Sequence, residues 1–207
     1  MIKLNKLPLP QHLQDKLDEW ERTGHQSASW RDSGIKAVLI EETNAKCAYC
    51  ESYIPHVASG DVEHILPKSK HPTLRFQWNN LTLACEVCNR YHKNSYAQER
   101  KLLDPYETVE PSAYLSAHDA TLLSSEHSPD TVRSELTLEK LGLNRAHLVE
   151  KRQMELGKMK IIIEAWKDAT PATQLVLTEE IHELYEPRQE YSFIIKSYLA
   201  KCDFPVS

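Results

Sequence analysis

Two pairs of cysteines with the spacing Cys-x-x-Cys constrain the fold of this chain more than any other feature of its sequence. The pairs are Cys47 with Cys50 and Cys85 with Cys88, and residues 51–84 lie between them. A Cys-x-x-Cys turn presents two thiolates to one side of a metal ion, so two such turns supply the four ligands of a tetrahedral zinc site. We therefore predict structural Zn²⁺ bound by all four. The alternatives are disulfides or free thiols, and for a single pair a redox motif.

The N-terminal sequence bears on the compartment in which these thiols work. The stretch MIKLNKLPLPQHLQ lacks the apolar segment and the small-residue cleavage site of a signal peptide. No apolar run approaches the roughly 18–20 residues that a membrane-spanning helix needs. We therefore expect a cytoplasmic location and no membrane partner, and reducing conditions there favour the zinc prediction. The fifth cysteine, Cys202, stands alone, and we assign it no role.

The overall charge limits how the chain can bind nucleic acid. It carries 25 Lys and Arg against 30 Asp and Glu, which gives a formal net charge of -5. Proteins that bind nucleic acid with their whole surface are usually basic. We therefore expect any contact with nucleic acid to use a local patch or to depend on a partner.

Hydrophobic spacing and turn residues divide the chain into three regions. The first, residues 1–44, contains an N-terminal arm and helices near 11–22 and 34–44. The second, residues 45–104, combines short strands, turns and a short helix. The third, residues 105–207, begins as a loop-rich linker and continues as a set of helices.

Within the third region the pattern predicts one hairpin and several helices. The weakly alternating stretch AYLSAHDATLLSS favours the hairpin, and helices are predicted near 145–167, 171–185 and 188–201. Gly142 is expected to follow the end of one helix and Asn144 to cap the start of the next.

The residues between and after the cysteine pairs carry a second pattern. The segment DVEHILPKSKHP spans 61–72, WNNL spans 78–81, and Asn89 comes directly after Cys88. This combination resembles the HNH endonuclease (ββα-metal) family, in which an acidic residue and His precede Ile-x-Pro, Asn-Leu precedes a Cys-x-x-Cys pair, and His or Asn follows that pair. The resemblance implies an α+β fold, mostly α-helical, with a Zn-stabilised ββα-metal core between N-terminal helices and a C-terminal helical region.

The resemblance also implies a metal-dependent endonuclease that hydrolyses phosphodiester bonds in nucleic acid, with roles for five residues. His64 would be the general base that activates water, because an imidazole pKa of about 6.5 lies near working pH. Glu63 and Asn89 would hold a catalytic Mg²⁺ or Mn²⁺ ion, since oxygen ligands favour hard ions. Asn80 would brace the loop and help to orient His64. Asp61, two residues before Glu63, is a second candidate ligand.

Basic residues near the motif are candidates for phosphate contacts. Residues 61–101 contain seven Lys and Arg and four Asp and Glu, and seven minus four gives this segment a local charge of +3. Lys68, Arg90 and Lys93 are the nearest in sequence to the motif, and a basic surround positions phosphates. The alternative is an ordinary solvated face.

A wider resemblance covers most of the chain. The segments MIKLNKLPLP, LIEETNAKCAYCES, LLDPYE and LGLNRAHLVEKR, together with the motif, are similar to the HNH nuclease subunits of Septu-type and retron-linked anti-phage systems, the PtuB family. This resemblance implies a defence role beside an ABC/SMC-like ATPase of the PtuA type, with or without a retron reverse transcriptase and its small DNA. It leads to the hypothesis that the N-terminal arm and the C-terminal helices dock the ATPase.

Two other classes of function stay open. One is a Zn-stabilised adaptor that binds nucleic acid or protein without catalysis. The other is a structural subunit of an assembly in which the ATPase performs the chemistry. For the nuclease hypothesis DNA is favoured over RNA as the substrate, although the same metal chemistry would serve a tRNA.

Overall fold

The computed structural model describes residues 1–24, 32–54, 60–95, 101–202 and 204–205, and for 91–95 it describes the backbone alone. The α-helices are α1 (Gln11–Thr23), α2 (Ser33–Glu42), α3 (Glu86–Ser95), α4 (Pro111–Tyr114), α5 (Thr131–Lys140), α6 (Ala146–Asp168), α7 (Pro171–Leu184) and α8 (Ser192–Leu199). Two antiparallel strand pairs join β1 (Asp61–His64) to β2 (Leu81–Ala84) and β3 (Leu115–His118) to β4 (Thr121–Ser124). The expected α+β fold is confirmed.

The two N-terminal helices lie where the hydrophobic spacing predicts them. Helix α1 buries Leu13 and Leu17, which are about one turn apart. Helix α2 starts after Asp32, whose carboxylate accepts hydrogen bonds from the backbone N–H groups of Gly34 and Ile35 and so caps the helix. The buried apolar residues of both helices belong to the same hydrophobic cluster as Cys47, Cys50 and Cys88.

Strands β1 and β2 and helix α3 form a ββα unit in the middle of the chain. Asp61 lies opposite Ala84, and His64 lies opposite Leu81. Because side chains alternate along a strand, Asp61 and Glu63 share one face of β1, and His64 lies on the other. Helix α3 begins directly after β2, so the second cysteine pair lies at the junction between strand and helix.

The linker between the ββα unit and the long helices contains the predicted hairpin, β3–β4. Gly142 has a φ of 56°, which is the left-handed conformation expected of a residue that follows a helix, here α5. The prediction that Asn144 caps the next helix is wrong. Its amide oxygen accepts from Leu122 N–H at 2.9 Å and its amide nitrogen donates to Leu122 C=O at 2.7 Å, so it fastens this loop to β4 instead.

The long helix α6 packs one face against the core. Leu156, Met159 and Ile163 of α6 are 0–3% exposed. Helix α8 is shorter than the predicted 188–201. Tyr191 has a φ of 55°, outside the helical region, so the helix starts at Ser192. The predicted division into regions 1–44, 45–104 and 105–207 stays a prediction. In the part of the chain that the structure describes, no helix is both long enough and apolar enough to cross a membrane.

Candidate functional site

The four paired cysteines converge on one point, as the sequence predicts. Their sulfur atoms all lie within 4.8 Å of one another, and Cys50 Sγ is 3.8 Å from Cys85 Sγ. Zinc–sulfur bonds of about 2.3 Å in a tetrahedron place the sulfurs roughly 3.8 Å apart. Cys47, Cys50 and Cys88 are buried, and Cys85 is partly exposed. Both the donor set and its spacing therefore fit zinc.

The environment of these thiols includes a cation that the sequence analysis missed. The guanidinium of Arg145 places Nη1 at 3.7 Å from Cys88 Sγ and Nη2 at 3.6 Å from Cys50 Sγ, one sulfur from each pair. Although burial lowers it, the charges of Cys88 and Cys50 raise the pKa of Arg145 above its usual range. Arg145 lies in a segment that shares the wider resemblance, but the sequence does not show its contact with Cys88, which is 57 positions away.

A second cluster, made of oxygen ligands, lies at the start of α3. Asn89 is 3% exposed, and its Nδ2 donates to Asp61 Oδ2 at 2.6 Å. Its Oδ1 is buried and has no hydrogen-bond partner among the described residues. Leaving such an acceptor unsatisfied costs about 1–3 kcal/mol, so a water molecule or a metal ion that bonded to this oxygen would be stabilised. Glu63, also 3% exposed, shares the strand face of Asp61, and these oxygens are the donors that hard divalent ions prefer.

His64 ends the strand that carries the two acids. It is 5% exposed, and its Nε2 lies 3.0 Å from the carbonyl oxygen of Arg75. A carbonyl only accepts, so a neutral imidazole in this position carries its proton on Nε2 and its lone pair on Nδ1. The ring is therefore oriented by the backbone of the loop that follows β1.

Asn80 fastens both ends of that loop. Its Oδ1 accepts from Leu66 N–H at 2.8 Å, and its Nδ2 donates to the carbonyls of Leu66 at 2.9 Å and Leu74 at 3.1 Å. Leu74 directly precedes Arg75, whose carbonyl contacts His64. The geometry is that of a brace which acts on His64 through the loop backbone, and the catalytic roles of these residues stay predictions.

The positions of the basic residues singled out from the sequence do not decide whether they contact phosphate. Arg90 lies on the exposed side of α3 and forms an ion pair with Glu86 one turn earlier. Lys68 is half-buried in the loop after β1. The side chain of Lys93 lies outside the described residues. Phosphate contact by these three stays a prediction.

The N-terminal arm reaches the back of β2, which sequence reasoning also missed. Lys6 Nζ lies 3.0 Å from Glu42 Oε1 and 4.7 Å from the centre of the Tyr106 ring. Burial, the largest effect, lowers the pKa of Lys6, and the charge of Glu42 opposes it. The hydroxyl of Tyr106 bonds to Glu42 and lies 2.8 Å from the hydroxyl of Thr82, which pairs with Glu63 across the strands. The arm therefore supports the strand that faces a candidate metal ligand.

Comparison with known proteins identifies this part of the chain. Residues 47–95 match the HNH endonuclease family, and this range contains both cysteine pairs, β1, β2 and α3. The family resemblance predicted from the motif is therefore confirmed: the chain carries an HNH endonuclease domain.

Curated relatives extend the similarity beyond that domain. A Septu protein PtuB of Bacillus mycoides (strain KBAB4) is 28% identical over 169 residues, which cover 65% of this chain and 56% of the relative. A Septu protein PtuB of Bacillus thuringiensis is 26% identical, with 82% of this chain and 70% of the relative covered. A retron Vc95 protein of Vibrio cholerae serotype O1 biovar El Tor, named as an HNH endonuclease, is 25% identical, with 65% and 71% covered. The match spans little more than half the length of the first relative.

Proposed function

We propose that this protein is the metal-dependent nuclease of an anti-phage defence system, in which His64 activates water and Glu63 and Asn89 hold one divalent metal ion. The observation that carries the proposal is the hydrogen bonding of the Asn89 side chain. Its amide nitrogen donates to Asp61. Its amide oxygen is buried and has no hydrogen-bond partner among the described residues. An amide oxygen presented in this way beside the carboxylate of Asp61, on the strand that also carries Glu63, supports a Mg²⁺ or Mn²⁺ site.

The proposed chemistry divides between the ion and the chain. When bound, the ion supplies stabilisation of negative charge on the scissile phosphate and on the leaving oxygen. His64 accepts a proton from the attacking water on Nδ1, because its Nε2–H is directed to the carbonyl of Arg75. Asn80 holds the loop that contains this carbonyl, so the imidazole does not have to be oriented during the reaction.

The second part of the proposal concerns a partner. The relatives are named as Septu and retron proteins, which supports a defence context and a partner ATPase of the PtuA type, in some systems beside a reverse transcriptase. The net charge of -5 gives the chain little general attraction for polyanions, so we assign most nucleic-acid binding to the partner. Exposed apolar side chains on the C-terminal helices support docking there: Met154, Ile161, Leu175 and Val176.

The test is cleavage of DNA and RNA by the protein reconstituted with the ATPase that its own gene neighbourhood encodes. His64→Ala should lower the cleavage rate by at least ~100-fold, because a positioned general base contributes about 10²–10⁴-fold. The matched control is His147→Ala, since this His is exposed on α6 and lies outside the HNH domain. Adding Mg²⁺ after treatment with EDTA should restore cleavage by the wild-type complex but not by the His64→Ala complex. A His64→Ala complex that cleaves at the wild-type rate would favour the adaptor hypothesis instead.

A further inference from the structure

Arg145 lies at the junction between the HNH domain and the C-terminal helices. It directly precedes α6 and is not part of the segment that matches the family. Its Nη1 also lies 3.2 Å from the carbonyl oxygen of Gly142, whose left-handed conformation shapes the turn between α5 and α6. The guanidinium is thus held by its own loop while it spans Cys50 and Cys88, one sulfur from each pair.

The charge of a four-thiolate zinc centre explains why a cation is needed there. Four thiolates around one Zn²⁺ leave a double negative charge, and burying a net charge is costly unless an opposite charge accompanies it. Three of the four cysteines are fully buried, so water gives them little solvation. A planar guanidinium with several N–H donors can reach two sulfurs at once, which the single ammonium of a Lys does less well.

Residues around the first cysteine pair bind a second part of the C-terminal region. Lys46 donates to the carbonyl of Gln189 at 2.7 Å. The carboxylate of Glu51, directly after Cys50, accepts from Ser192 Oγ at 3.1 Å and from Phe193 N–H at 3.2 Å, and so caps α8. Both Lys46 and Glu51 are buried, at 2% and 3% exposure. The turn that holds two of the sulfurs therefore also holds the start of α8.

We propose that Arg145 is a functional part of the zinc centre: it neutralises thiolate charge, slows zinc loss and makes the placement of the C-terminal helices depend on bound zinc. The inference rests on the zinc site of the four cysteines and goes beyond it, because it assigns metal retention to a residue outside the HNH domain. Loss of zinc would free the turn that carries Lys46 and Glu51, and with it the cap of α8. The surface assigned above to the partner would then change with the metal.

The experiment measures the rate at which the purified, zinc-loaded full chain releases Zn²⁺ to an excess of a chromogenic chelator. Arg145→Gln should release zinc about 10-fold faster than the wild type, in the range found when partners of metal ligands are removed. Arg145→Lys should fall between them, because it keeps the charge but not the two-sulfur reach. The control is Lys158→Gln, which removes one positive charge from an exposed site on α6, where Lys158 pairs with Glu155.

Hydrogen exchange of the same samples tests the coupling to the C-terminal helices. Removing zinc from the wild type should speed exchange in residues 187–199 more than in α1, which belongs to the N-terminal region. Equal release rates from wild type, Arg145→Gln and Arg145→Lys would overturn the role of Arg145, and if the Gln variant does not fold, the Lys variant decides. A rise in exchange that is uniform over the chain would overturn the coupling. If the purified wild-type protein bound no zinc in metal analysis, the zinc site on which the proposal rests would be wrong, whatever the nuclease activity of the protein.

Discussion

The two candidate metal centres of this chain use adjacent residues, Cys88 and Asn89, yet they are built from different ligands. Cys88 closes a set of four sulfurs that lie within 4.8 Å of one another, whereas Asn89 has a buried amide oxygen without a hydrogen-bond partner among the described residues and bonds to the carboxylate of Asp61. A closed set of four soft ligands suits a zinc ion that stays in place. A short set of oxygen ligands leaves coordination positions to water and substrate. The comparison contrasts a centre suited to holding the fold with one that we propose serves the chemistry.

The two centres also differ in the parts of the molecule that hold them. The sulfur centre is tied to the C-terminal helices through Arg145, Lys46 and Glu51, and Glu51 also lies 2.6 Å from the amino group of Met1 in the arm. The strand opposite Glu63 is supported by Lys6 of the arm and by Tyr106, whose hydroxyl bonds to Thr82. A change in the C-terminal region is therefore expected to reach the sulfur centre first, whereas a change in the arm is expected to reach both centres.

The largest effect is expected from breaking the sulfur centre. Cys85→Ser removes one of four zinc ligands, and structural zinc contributes on the order of 10 kcal/mol to the folding of small zinc domains. We expect the variant to lose bound zinc and its cooperative unfolding transition, as measured by metal analysis and thermal melting. Cys202→Ser is the matched control, because this thiol is half-buried and outside the cluster. A Cys85→Ser variant that unfolds like the control would show that the four cysteines do not hold the fold together.

The same comparison shows what the sequence could predict. The sulfur centre was accessible because a Cys-x-x-Cys turn converts a short spacing directly into geometry. Glu63, His64, Asn80 and Asn89 were singled out through the resemblance to the HNH endonuclease family, and their roles stay predictions. The ββα unit followed from the same motifs. Residues that act by proximity in three dimensions were not accessible: Arg145 is 57 residues from the cysteine that it contacts.

One wrong prediction has the same physical origin. Asn144 stands where a helix cap is common, but its amide makes two hydrogen bonds to the backbone of Leu122 in β4. A local preference worth about 1 kcal/mol is easily overridden by two tertiary hydrogen bonds. Lys6 was overlooked for a related reason, because a Lys in an N-terminal arm gives no sign that Glu42 and two aromatic rings enclose its ammonium.

An intermediate effect is expected at Asn80, which fastens the loop that follows β1. Asn80→Ala removes three hydrogen bonds and leaves the N–H of Leu66 and the carbonyls of Leu66 and Leu74 without this partner. We expect a loss of about 2–3 kcal/mol in the free energy of unfolding, since each buried group left unsatisfied is costly. Cleavage should fall roughly 10-fold, because a small misplacement of a catalytic group is expensive.

Asn79→Ala is the control for that experiment, because Asn79 is the adjacent residue of the same type and is exposed. Its unfolding curve and cleavage rate should match the wild type. Zinc content should be unchanged in both variants, since the loop lies apart from the four sulfurs. If Asn80→Ala also lost zinc, the separation of the two centres would be wrong.

The smallest change in stability, and the sharpest test of the comparison, is expected from Asn89→Asp. The substitution puts a third carboxylate within hydrogen-bond distance of Asp61, where Asn89 now donates at 2.6 Å. Without a divalent ion the variant should be about 1 kcal/mol less stable, because a hydrogen bond is replaced by repulsion between like charges. With Mg²⁺ the added charge becomes a ligand, so Mg²⁺ should raise the melting temperature of the variant more than that of the wild type. Asn5→Asp, an exposed site in the arm, should show no such response. If Mg²⁺ had equal effects on all three proteins, Asn89 would not be a metal ligand, and the oxygen cluster would be a hydrogen-bond network beside the zinc centre.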